Sequence, residues 1–117
     1  MSFRLGRLFT GDDGQSHVTV GEIELGTLDR LNAASPFEAV TRIRFEETAP
    51  GSALEWHPAP RRQYVITLSG TLEFETRNGA RFTLAPGDVL LAEDTAGGGH
   101  RWRLIDDQPW RRVYVAL

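Results

Sequence analysis

Apolar and polar residues alternate along most of this chain with a period of two. Leu72-Glu73-Phe74-Glu75 sets two large apolar side chains against two carboxylates, as a half-buried strand does. Arg42-Ile43-Arg44-Phe45 and Arg81-Phe82-Thr83-Leu84 alternate in the same way. In His100-Arg101-Trp102-Arg103-Leu104 the histidine, tryptophan and leucine share one face and the arginines take the other. Turn residues separate the runs: Asp12-Asp13-Gly14, Pro50-Gly51, Asn78-Gly79 and Pro86-Gly87. Leu72–Thr76 and Arg81–Leu84, joined across Asn78-Gly79, predict a hairpin. The best helical candidate, Gly26–Ala34, is short and reads as a loop. About nine or ten short strands with frequent turns predict an all-β sandwich or barrel. No linker, repeat or low-complexity tract divides the chain, so a single domain over residues 1–117 is expected.

Composition narrows the chemistry. The chain has 117 residues, 40% of them hydrophobic, enough to build one packed core. All 13 basic residues are arginine, so Schiff-base catalysis by lysine is excluded. Cysteine is absent, which removes thiolate nucleophiles, disulfides and cysteine metal ligands. A net charge of −3 gives no electrostatic footprint for nucleic acid or an anionic membrane. The opening Met-Ser-Phe-Arg-Leu-Gly-Arg carries no long apolar run, so neither a signal peptide nor a membrane span is expected and the default location is cytoplasmic.

Two segments carry a more specific pattern. The first is Gly51-Ser-Ala-Leu-Glu-Trp-His57-Pro-Ala-Pro-Arg-Arg-Gln63, continued to Gly70. The second is Pro86-Gly87-Asp88-Val-Leu-Leu, followed by Gly97-Gly98-Gly99-His100. Together they resemble the two conserved motifs of the cupin superfamily, over residues 51–104. Gly51, His57 and Gly70 match the first motif, while Ala59 stands at its second histidine and Gln63 at its glutamate. Gly97 and His100 match the second, while Thr95 replaces its proline and Leu104 its asparagine. The resemblance is closest to small, single-domain bacterial cupins. It implies a jelly-roll β-barrel or double-stranded β-sandwich, and a divalent transition metal held by His57, Gln63 and His100. Iron, manganese, zinc and nickel are not distinguished by these donors, and a metal-free state is the alternative.

Strand parity gives the expected convergence. His57, Ala59, Arg61 and Gln63 share parity, with Pro58 and Pro60 favouring extended backbone between them. If His57 faces inward, so do Arg61 and Gln63, and His100 faces inward with Trp102 and Leu104. Arg61 is then the clamp for a substrate carboxylate, Trp102 a cavity wall, and Arg62 a surface residue. Glu55, of the same parity as His57, and Asp94, just ahead of His100, are the candidate bases. Either could also balance the charge of Arg61. Gly97-Gly98-Gly99 reads as a flexible rim loop, and His17 as a strand-edge or capping contact. Tyr64, Ile66 and Leu68 form an outward apolar row that needs a cover, either another sheet or another subunit; a homodimer is expected, in keeping with cupins, with this row at its interface or under an added N-terminal strand. Two functions follow. One is a metal-dependent enzyme of oxygenase or isomerase type acting on a small, anionic, partly apolar molecule. The other is a metal-free binding or sensing module for such a molecule.

Overall fold

The structure, a computed structural model, describes residues 2–117. Among the described residues twelve strands run in chain order. They are β1 (Ser2–Thr10), β2 (Ser16–Glu24), β3 (Gly26–Thr27), β4 (Ala33–Ala34), β5 (Arg42–Thr48) and β6 (Ala53–His57). The second half supplies β7 (Gln63–Ser69), β8 (Leu72–Thr76), β9 (Arg81–Leu84), β10 (Val89–Glu93), β11 (His100–Leu104) and β12 (Trp110–Ala116). The order β2-β1-β10-β7-β12-β5 makes a six-stranded sheet, and β6-β11-β8-β9 a four-stranded one. The two face each other as a sandwich and are not closed into a barrel by hydrogen bonds. Gly26–Ala34 holds the small β3–β4 pair and no helical turn. Among the described residues no helix is long and apolar enough to cross a membrane.

The core follows from the alternation. Leu72, Phe74, Phe82, Leu84 and Leu104 of the small sheet meet Leu8, Val65, Leu90 and Trp110 of the large one. Phe74 stacks on Phe82 and meets the Trp110 ring edge-on, the arrangements that suit aromatic quadrupoles. The β8–β9 turn is tight. Gly79 takes a φ of 87° that other residues rarely adopt, and Asn78 Oδ1 accepts from both the Ala80 amide and the Thr76 hydroxyl.

Strand β5 overturns the simple reading. Its arginine and glutamate face turns toward the other sheet, where Arg44 and Glu46 line a cavity. Its apolar face turns out, leaving Ile43 63% and Phe45 73% exposed. β5 lies at the sheet edge beyond β12, past the reach of the packed core, so the space beneath it is polar.

The Gly97–Gly99 segment is also not a flexible rim. A Cβ at Gly97 would overlap the Gly14 carbonyl, and one at Gly99 would overlap the His57 backbone. These glycines permit close backbone packing, and Gly98 N donates to Gly14 O at 3.0 Å.

Candidate functional site

A cavity of about 240 Å³ opens between the sheets at the β5–β6 side. His57, Gln63, His100, Arg61 and Trp102 all line it, joined by Arg44, Glu46, Trp110 and Arg112. Each comes in by a local cause. Residues 58–62 carry the chain from β6 to β7 through a bend at residues 60–62, and the Ala59 amide is fixed to the Asp94 carbonyl at 2.9 Å. Gln63 begins β7 on its buried face. His100 begins β11 directly opposite His57, so the imidazole centroids lie 4.6 Å apart. Trp102 follows on the same face and packs edge-on against Trp110 at 4.9 Å.

Glu55 does not join them. Along β11 the pairing advances two residues, from His100 to Trp102, while along β6 it advances three, from His57 to Leu54. This bulge reverses parity, so Leu54 faces the cavity with His57 and Glu55 turns outward. The Glu55 carboxylate is exposed and lies 3.5 Å from Arg101. Trp56 is flanked by the guanidiniums of Arg77 and Arg101 at 4.4 and 4.7 Å.

Asp94 lies behind the cavity wall. It is fully buried, and its Oδ2 accepts from Ser16 Oγ at 2.5 Å and His100 Nδ1 at 2.6 Å. Its Oδ1 has no partner. The Asp94 side chain therefore reaches the cavity through His100. His57 is anchored in parallel, its Nδ1 donating to the Glu55 carbonyl oxygen at 2.6 Å. Burial pushes the His57 imidazole below the ordinary histidine value, and His100 adds to that shift while the Glu55 carbonyl opposes it. His17 lies apart, 2.9 Å from Asp13 and stacked on Phe9.

Arg61 meets neither Glu55 nor Asp94. Its Nη1 donates to Gln63 Oε1 at 3.0 Å, and among the described residues no carboxylate lies within ion-pair distance of it. Arg62 is exposed and pairs with Glu93, which also takes Arg7 at 2.7 Å.

Arg112 was not singled out by sequence. It is 3% exposed and donates to Glu46 Oε2 at 2.5 Å, Thr48 Oγ1 at 2.7 Å and the Trp110 carbonyl at 3.0 Å. Its guanidinium stacks 3.8 Å above the Trp110 ring. The available signal was parity, since Trp110, Arg112 and Tyr114 share one face of β12.

The family model for the cupin domain matches residues 44–115, and the chain belongs to that family. Among solved structures it is similar to a cupin domain from Bordetella pertussis Tohama I, at 19% identity and a TM-score of 0.51. That match covers 69% of this chain and 84% of the other. It is also similar to a Cupin 2 conserved barrel domain protein from Salinispora arenicola CNS-205, at 22% identity and a TM-score of 0.51. There 79% of this chain and 86% of the other are covered. These likenesses concern the fold.

Cupins often hold a metal, and the donors here suit one only in part. Both imidazoles tie back Nδ1 and leave Nε2 toward the cavity, an orientation that suits ligation. The rest of the set does not fit. Gln63 is a neutral amide whose oxygen already accepts from Arg61. The wall carries Arg44, Arg61 and Arg112 against one carboxylate, Glu46, which is held by Arg112. Among the described residues no group of three or more His, Cys, Asp or Glu gathers as a metal site. Three guanidiniums on the wall repel a divalent cation that two imidazoles and an amide do not neutralise.

Proposed function

We propose that this cupin binds a small, partly apolar organic carboxylate between its sheets, without a metal, as a binding or sensing module. The observation that carries the reading is Arg61, a half-buried guanidinium on the cavity wall with no carboxylate partner. A desolvated charge is costly until something negative meets it, and the fork of a guanidinium matches a carboxylate in two parallel bonds. Gln63 steadies Arg61 from behind. Trp102, Trp110, Leu54 and Val65 offer an apolar wall for the remainder of the ligand. The cationic lining favours an anion throughout.

The test is a thermal-shift screen of small carboxylic acids, since a ligand that binds only the folded state raises its melting temperature. Wild type and Arg62→Ala should respond, and Arg61→Ala should not. Equal responses in the two variants would leave Arg61 as a structural residue. The tied-back imidazoles are the one observation favouring the metal-dependent reading. Elemental analysis of protein purified without chelator or affinity-tag metal decides it: a transition metal near one equivalent overturns the metal-free proposal.

The reading extends to a homodimer. Phe3, Ile23, Tyr64, Ile66, Leu68 and Val89 line an apolar groove on the outer face of the large sheet. The same chain presents exposed Leu28, Leu31, Phe37 and Val40 on the segment leading to β5. Groove and apolar arm on one molecule are what a two-fold pairing of copies requires. Glu38 anchors the arm beside the groove by accepting from the Tyr64 hydroxyl at 2.7 Å. Burial and that carboxylate push Tyr64 up to about 12.

A further inference from the structure

We infer that the ligand carries two carboxylates, so that the class this cavity selects is the dicarboxylic acids with an apolar part. The second carboxylate occupies an outer chamber under β5, at Arg42 and Arg44. The inference rests on the carboxylate reading of Arg61 and extends the ligand past it.

The space between the sheets does not end at Arg61. A smaller chamber of about 90 Å³ adjoins it toward the start of β5, lined by Arg42, Arg44, Arg61, Gln63 and Tyr114. Arg44, Arg61, Gln63 and Tyr114 line both spaces and form the wall between them. A volume of that size holds a few waters or one small anionic group. Arg42 and Arg44 stand two residues apart on β5, on one face and about 7 Å along the strand.

Charge sets this chamber apart. Most arginines of the chain carry their own counter-ions: Arg4 meets Asp88, Arg7 and Arg62 share Glu93, and Arg111 meets Glu47. Among the described residues no carboxylate lies within ion-pair distance of Arg42 or Arg61, and both line this one chamber. Arg44 has a 3.7 Å contact with Glu46, whose carboxylate is held by Arg112 at 2.5 Å. A single carboxylate at Arg61 therefore leaves Arg42 and Arg44 short of negative charge. A second one on the same ligand supplies it, and guanidinium forks suit it in geometry. The neutral groups agree. The Tyr114 hydroxyl accepts from Arg112 Nε at 3.1 Å, which frees its own hydrogen to donate. Gln63 Oε1 already accepts from Arg61. A wall rich in donors calls for a ligand rich in acceptor oxygens. Trp102 and Trp110 line only the larger cavity and receive the apolar part.

Isothermal calorimetry at low ionic strength and about pH 8, where both carboxyls are ionised, tests this. Phenylsuccinate and benzylmalonate are compared with 3-phenylpropanoate, and glutarate with butanoate; each diacid exceeds its partner by one carboxyl. For the pair whose shape fits, the diacid should bind wild type about fivefold more tightly, the worth of one partly exposed ion pair. Arg42→Gln should bring that ratio close to one. Arg111→Gln removes an equal charge outside both chambers and should keep the ratio, which separates a local contact from the general field of the protein. Both positions are exposed, so neither change should disturb folding. Diacids and mono-acids binding wild type within about twofold of each other, a ratio that survives in Arg42→Gln, or an equal fall in both variants overturns the second carboxylate and leaves the Arg61 site standing. If no acid of either kind binds at millimolar concentration, the carboxylate reading falls, and this inference with it.

Discussion

Strands β5 and β8 read alike in sequence and face opposite ways. Both alternate apolar with charged residues. In β8 the apolar set, Leu72 and Phe74, is buried and the glutamates Glu73 and Glu75 face outward. In β5 the charged set, Arg44 and Glu46, faces the cavity, and Ile43 and Phe45 are left outside. Alternation fixes that a strand has two faces; what each face meets decides which one is the interior. β8 sits second in its sheet over the densest packing, whereas β5 is the far edge over a polar cavity. The contrast marks where this fold departs from the pattern of an ordinary sandwich. There it places charge inside and leaves oil on the surface.

Substitutions at four positions probe that contrast, beginning with the largest effect. Phe74→Ala removes a fully packed ring touching Phe82 and Trp110, and should cost about 3–5 kcal/mol of unfolding free energy in denaturant titrations. A cost below about 1 kcal/mol would mean β8 does not anchor the core. Arg112→Ala removes a buried guanidinium bonded to Glu46, Thr48 and the Trp110 carbonyl and should cost about 2–3 kcal/mol. Arg112→Met, which restores some volume but leaves Glu46 only its 3.7 Å contact with Arg44, should recover only part of it. Phe45→Asp alters the outward face of β5. Monomer stability should stay within about 0.5 kcal/mol, while light scattering should fall from twice 13.1 kDa to the monomer mass if the proposed dimer uses this face. A wild type already at 13.1 kDa would remove the dimer. Smallest of all, Glu73→Ala on the outer face of β8 loses contacts to exposed Arg81 and Arg103 and should cost less than about 1 kcal/mol. A larger loss there would erase the distinction between a solvated charge ladder and a buried one.

The same contrast explains what was legible in the sequence. The β8–β9 hairpin could be read in full, because Asn78-Gly79 dictates its turn and both strands bury their apolar faces. The cupin family was legible from His57, Gly70, Gly97 and His100 with their spacing. The inward direction of His57, Gln63 and His100 could be read from parity and a motif together. Glu55 could not be, because a one-residue bulge in β6 leaves no mark on composition. Gly97-Gly98-Gly99 looked mobile because close backbone packing and loose chain both call for glycine. Arg44, Glu46 and Arg112 were invisible for a third reason. They lie outside the motif-bearing stretch, on strands where charged residues read by default as facing water.

The parallel pairing of β1 with β10 has a consequence in time. The β8–β9 hairpin closes over a short loop, but Leu5 pairs with Val89 and Phe9 with Glu93, across most of the chain. Such long closures form late, because their entropy must be met before the contacts reward it. Ser16 enters with the β1–β2 hairpin, and its hydroxyl is one of the two groups holding Asp94, which in turn orients His100. The imidazole corner of the cavity is therefore completed among the last steps of folding. Pulse-labelled hydrogen exchange should find β8 and β9 amides protected before those of β1. A protein caught partway would have its core and not yet its binding site.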